Sequence, residues 1–260
     1  MKKRTDIQIY ELVYSKCDFG LWDNELYTPL QCGASYTKTN VCEQKDNDGD
    51  DNISEMNFYY SETTGTYWIW KNAPRTKYIG QCQYRRRLQF DTDFDFDAVL
   101  DGKHKIIVNR PICIARTLLR QLEVCHPQIS NDLITESIKE TSPRYLQYYD
   151  VVMKNGHNLF FSSSYVMRWE YFDDYCSFLF PVLQTYAEKT NSFDREYLRT
   201  YVTGVYNRNL SVLGKKPISY HMLLGGFIQE RLFTVWLLAN FKKEEIVIKD
   251  FKFMDKSIAF

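Results

Sequence analysis

The chain has 260 residues, enough for one large α/β domain. Its 33 Lys and Arg balance 33 Asp and Glu, so no overall field points to nucleic acid or an anionic membrane, and any anion site has to be built locally. The seven scattered cysteines include no CxxC pair and the four histidines no i, i+4 pair, which argues against zinc ribbons, thioredoxin-type chemistry and histidine metal sites.

The start, MKKRTDIQIYELVY, is basic but runs straight into an alternating strand over 6–14, without the apolar core of a signal peptide. After Pro29 and Gly33 comes an acidic, turn-rich stretch, CEQKDNDGDDNISE. Helical spacing of Tyr60, Tyr67 and Trp68 predicts a helix over 57–72, stopped by Pro74. A strand at 78–82, a second acidic loop (DTDFDFD, 91–97) and a strand at 105–109 follow. Two or three helices fill 114–154, with Ser130 and Ser142-Pro143 as starts. A strand is expected over 158–167, helices over 169–188 and 227–241, and a last strand over 244–251. No apolar run reaches the ~18–20 residues of a membrane span. Those features predict a cytoplasmic protein with reduced thiols, released from any membrane surface by salt.

Strands alternating with helices predict an open α/β sheet, and no internal repeat or linker divides the chain. In such sheets ligands sit at the carboxyl ends of strands, here Ser15-Lys16 and Gln83 to Arg86. Aromatic residues make up 16% of the chain, which suits either a large aromatic core or amphipathic ligands such as sugars and bases.

The acidic stretches invite metal readings. With Gly49 at the glycine position of an EF-hand loop, Asp46, Asp48 and Glu55 would be ligands, but the first ligand would be Gln44 and flanking helices are missing, so a solvated loop is expected. Asp91-Thr92-Asp93 and Asp95-Phe96-Asp97 match the short DxD pattern that holds magnesium or manganese in many sugar-nucleotide transferases, yet they lie beyond the strand end. Phosphate-binding glycine loops are absent. The triplet Arg85-Arg86-Arg87 can aim guanidinium groups at a diphosphate and replace a metal there. The bland alternative is a solvated basic turn paired with the following aspartates.

DNISEMNFYYSETTGTYWIWKN followed by YIGQCQYRRRLQF resembles a family of bacterial glycosyltransferases long catalogued as a domain of unknown function, from capsule, O-antigen and exopolysaccharide clusters. The family pattern runs DNIS-x-x-N, E-x-T-x-x-YW-x-WKN and YIG-x-x-HYRR. Upstream YTPLQCG, and downstream YFDDYCSFLFPVL and GFIQERLFTVWL, are similar to further family elements, so the likeness spans nearly the whole chain. Gln83 stands where the family has histidine and Gln229 where it has serine.

The resemblance implies a GT-A-like open mixed sheet flanked by helices, with a helical C-terminal part. Residues 1–110 would form the nucleotide-sugar half and residues 111–260 the acceptor half of a single domain. The implied reaction moves a sugar, galactofuranose or galactose, from a UDP-linked donor to a glycan or lipid-linked oligosaccharide at the inner face of the membrane. Glu230 is assigned as base, and Arg85 and Arg86 as stabilisers of the leaving diphosphate, without a metal. Lys16, Asp51, Asn52, Ser54, Glu62, Tyr84 and Arg231 are assigned to the donor. The alternatives are a magnesium or manganese enzyme using Asp91/Asp93 or Asp95/Asp97, and a non-catalytic nucleotide-sugar or glycan-binding protein of the same cluster.

Overall fold

The structure, a computed structural model, describes residues 6–14, 26–37, 39–91, 93–161, 164–209, 211, 214 and 216–253. Ser15 and Lys16 lie outside the described residues.

Among the described residues eight strands form one mixed sheet. Three strands at one side of the sheet are parallel: β1 (Ile7–Val13) lies between β2 (Tyr27–Gln31) and β3 (Tyr78–Gln83), with Ile9 opposite both Tyr27 and Gly80. β4 (Arg86–Leu88) turns back from β3 through the single pair Gln83 and Arg86. β5 (Ile106–Asn109) is part of the same sheet, whereas β6 (Ile112–Cys113) and β7 (Asn158–Leu159) form a separate ribbon. β8 (Tyr165–Arg168) runs antiparallel between β3 and β5, β9 (Ile246–Lys249) lies parallel to β5, and β10 (Phe251–Phe253) pairs with β4.

Alternation along β1 sends Tyr10 and Leu12 to a large core, and Ile7 and Ile9 to a smaller core on the opposite face. β3 does the same with Ile79 and Tyr78. The helices begin with α1 (Asn57–Tyr60), α2 (Thr63–Asn72) and α3 (Phe96–Leu100), the last contributing Phe96 and Leu100 to the smaller core. α4 (Leu118–Cys125), α5 (Asn131–Thr141) and α6 (Leu146–Asn155) follow, then α7 (Trp169–Lys189) and α8 (Arg195–Arg208). α9 (Ile218–His221) and α10 (Leu224–Asn240) complete the series. α10 buries Ile228, Leu232, Phe233, Val235 and Trp236, so it is a helix of the large core rather than an amphipathic surface helix.

The result is the expected α/β class, an open mixed sheet flanked by helices. Several elements depart from expectation. The helix predicted over 57–72 is broken at Ser61, whose φ of 56° and ψ of −142° no helix tolerates. The strand predicted over 158–167 is two short strands on different sheets. β2 was not expected; its Pro29, which cannot donate to a ladder, is accommodated because among the described strands β2 is an edge strand pairing with β1 alone. β4 and α8 were also not foreseen.

Candidate functional site

A cleft of about 430 Å³ opens where β1 and β3 end together. Leu12 lies opposite Gln83 in the ladder, and the Tyr84 N–H continues it by donating to the Leu12 carbonyl at 3.1 Å. The strand ends therefore deliver Tyr14, Gln83, Tyr84, Arg85 and Arg86 to one rim.

The broken helix supplies the second wall. Ser61, at the break, and Glu62, at the start of α2, both face the cleft. Ser61 Oγ donates to Glu62 Oε2, and Gln83 Nε2 donates to Glu62 Oε1 at 2.5 Å. Gln83 Oε1 in turn accepts from Arg86 Nη1 at 3.4 Å, so one amide links the carboxylate to the guanidinium. The Arg86 guanidinium also lies 4.7 Å from the Phe161 ring centre, a cation–π contact. Burial lowers the Arg86 pKa, while the Glu230 and Glu62 charges oppose that shift. Arg85 is exposed and rests on the Tyr84 ring at 4.7 Å.

The third wall is the α9–α10 segment. Leu223, Gly226, Phe227 and Glu230 recur at i, i+3, i+4 and i+7, so one helical stripe faces the cleft. Close approach of this helix depends on glycine: a Cβ at Gly226 would meet the Ser61 Cβ at 2.9 Å, and one at Gly225 the Tyr59 ring at 2.9 Å. Glu230 is 7% exposed and sits in the second turn of α10, with the Arg86 and Arg231 guanidinium charges near it. Arg231 Nη1 is 4.0 Å from Glu230 Oε2.

Thus Glu62 from the start of α2, Tyr84, Arg85 and Arg86 from the β3–β4 turn and β4, and Glu230 from α10 share one cleft. Of the remaining assigned residues, Lys16 lies outside the described residues, and Asp51, Asn52, Ser54 and Arg231 do not line the cleft. Arg231 is 1% exposed and points elsewhere, with Nη1 donating to the Phe227 carbonyl at 2.5 Å and Nη2 to Gln121 Oε1. Asp51 accepts from the Tyr67 hydroxyl at 2.8 Å. Asn52 Nδ2 donates to the Gly49 carbonyl at 2.9 Å, and its Oδ1 accepts from the Ser54 N–H at 3.2 Å. Ser54 Oγ donates to Asp46 Oδ1 at 2.5 Å. Asp46, read as a solvated loop residue, is fully buried and also accepts from the backbone of Gly33 at 2.6 Å and Ala34 at 3.0 Å. This segment ties the chain after β2 to α1.

Two of the DxD residues, Asp95 and Asp97, make contacts within the fold. Asp95 caps α3 by accepting from the Ala98 N–H at 3.0 Å. Asp97 accepts from Lys77 Nζ at 2.5 Å and from the Tyr78 hydroxyl at 2.9 Å, on the smaller-core side of the sheet. Asp91 and Asp93 do not line the cleft either. Among the described residues no cluster of three or more His, Cys, Asp or Glu is placed to hold a metal ion, and no helix is long and apolar enough to cross a membrane.

The cleft also contains residues that the sequence did not single out, above all Phe161, Tyr220 and Phe227. Phe227 was findable, being three residues before Glu230 on a helix; Phe161 carried no signal.

An open mixed α/β sheet with a guanidinium-rimmed cleft at its strand ends is the frame on which the comparisons fall. The chain belongs to the family described as a domain of unknown function (DUF4422), which matches residues 8–210. No curated protein matches it. Among solved structures it is similar to the apo structure of WbbM, a bifunctional glycosyltransferase, with a TM-score of 0.63 and 15% identity. That likeness covers 95% of this chain and 45% of the other, so the chain spans less than half of that protein's length.

Proposed function

We propose that the protein is a glycosyltransferase that moves a sugar, galactofuranose or galactose, from a uridine diphosphate donor to a growing surface polysaccharide. The observation that carries this reading is that Arg86 and Glu230, from different elements, line one cleft, close enough for the Glu230 charge to act on the Arg86 guanidinium. The fold likeness to a glycosyltransferase supports it.

In a single displacement the acceptor oxygen attacks the donor anomeric carbon, the carbon–phosphate oxygen bond breaks, and the nucleoside diphosphate leaves. Glu230 takes the acceptor proton. Arg85 and Arg86 meet the charge that develops on the leaving oxygens, with Arg86 held in advance by Gln83 and Phe161. Glu62, held by Ser61 and Gln83, keeps Arg86 in place and offers its remaining lone pairs to donor hydroxyls.

The test is a donor screen. Incubation with a panel of nucleotide sugars should release uridine diphosphate from at least one UDP-linked donor, faster with glycan acceptor than with water. Absence of nucleotide release from every donor and acceptor pair would leave only the binding-protein alternative.

A further inference from the structure

The cleft is chemically divided. Its β3–β4 rim carries two guanidinium groups, whereas the α9–α10 wall offers Tyr220, Phe227 and the Glu230 carboxylate. A diphosphate is drawn to the first and repelled by the second. Lys216 Nζ lies 5.5 Å from the Tyr220 ring but does not line the cleft.

Phe227 is rigidly backed. The His126 ring packs behind it with centres 3.9 Å apart and planes 30° from parallel, and Tyr220 meets it at 5.2 Å and 65°. Burial first, and then Arg231 and His221, push the His126 pKa down to about 2, so the backing ring is uncharged. Tyr220 is 36% exposed, and its ring and hydroxyl give an apolar face with a polar tip. Phe227 and Glu230 are three residues apart on one helix, hence neighbours about 5–6 Å apart at Cβ. A flat apolar surface with a carboxylate at its edge matches a sugar ring, which has a C–H face and hydroxyls around its rim.

We propose that the Tyr220–Phe227 wall is the acceptor subsite, taking a hexose ring of the glycan face-on so that one of its hydroxyls points at Glu230. This rests on the glycosyl-transfer reading and adds to it which wall receives which substrate. The donor diphosphate occupies the opposite rim, and the anomeric carbon lies between.

The experiment uses the whole chain and a panel of methyl hexosides, both pyranose and furanose, observed by saturation-transfer NMR in the presence of uridine diphosphate. At least one glycoside should receive saturation from the wild-type protein. Its signal should fall roughly fivefold or more in Phe227→Ala and in Tyr220→Ala, the scale of a lost ring contact, with nucleotide affinity unchanged. Tyr220→Ala, at a partly exposed position, covers the case in which Phe227→Ala fails to fold. Glycoside signals that survive both substitutions, or no glycoside signal at all, overturn the subsite. Glycoside binding without any nucleotide binding would instead count against the transfer reading while leaving this wall as a sugar site.

Discussion

Arg87 and Glu11 form a buried, two-pronged ion pair across the smaller core: Nε donates to Oε1 at 2.8 Å and Nη2 to Oε2 at 2.7 Å. Their side chains are 6% and 0% exposed, and the Arg87 guanidinium also lies 4.6 Å from the Tyr27 ring centre. Removing one partner strands the other charge in the interior. Arg87→Ala or Glu11→Ala should therefore cost about 3–5 kcal/mol in urea unfolding. The double variant Arg87→Met/Glu11→Leu should be less damaged than either, because a well-packed apolar pair needs no desolvated charge. Near-normal stability of Arg87→Ala would show that the pair contributes little.

The neighbouring arginines should behave in the opposite way. Arg86 sits half-buried at the cleft and Arg85 is exposed, so neither anchors the sheet as Arg87 does. Arg86→Ala should keep its unfolding midpoint close to wild type and lose roughly 100-fold in transfer rate, the scale seen when a donor to transition-state charge is removed. A folded Arg85→Ala/Arg86→Ala variant with full activity would remove the diphosphate role.

This split within one triplet shows what the sequence could and could not convey. The strands over 6–14 and 78–82 were legible because their apolar and β-forming residues fill cores on both faces of the sheet. The partner of Arg87 was not, since Glu11 lies 76 residues away and meets it only when β4 folds back on β3. Asn52 and Ser54 are residue types that both bind hydroxyls and close turns, and only the structure shows them closing a turn against Asp46. The break at Ser61 left no trace in the helical spacing on either side of it, yet it turns Glu62 toward the cleft. Glu230 and Arg231, adjacent in sequence, are turned about 100° apart around the helix, so Glu230 lines the cleft while Arg231 reaches Gln121.

Metal dependence separates two versions of the chemistry. The cleft rim is supplied with arginines, while Asp95 caps α3 and Asp97 is paired with Lys77 away from it. Chelator should leave most transfer activity intact, and Asp93→Asn and Asp95→Asn should remain active. Asp95→Ala should lose about 1 kcal/mol of stability with the cap and little activity. Full chelator sensitivity, restored by magnesium or manganese and matched by dead aspartate variants, would assign the charge-neutralising role to the wrong residues.

Gln83 provides a further handle, because its amide donates to Glu62 and accepts from Arg86 at once. Gln83→Glu would place a second carboxylate against Glu62 and remove the donor, so it should lower activity at neutral pH by about tenfold or more and recover as acid protonates the pair. Gln83→Met should lose activity at every pH, with no such recovery. Parallel pH–rate profiles for the two variants would show that Gln83 does not position Arg86 through its hydrogen bonds.

Acid stability should report on the ring behind Phe227. His126 is 8% exposed, and burial, with Arg231 and His221 nearby, lowers its pKa from 6.5 to about 2. The folded state therefore resists protonation that the unfolded state accepts, and stability is complete above the unfolded value and declines as the pH falls below it. The slope from one such group is about 1.4 kcal/mol per pH unit. Between about pH 6.5 and about pH 5, above the ordinary carboxylate range, His126 alone should remove about 1–2 kcal/mol. His221, also buried and lowered, acts in the same direction. Urea unfolding of wild type and His126→Phe across that window checks the assignment. The variant keeps a ring against Phe227 but cannot titrate, so its stability should fall less steeply with acid. An identical slope in the two proteins would place the acid sensitivity elsewhere.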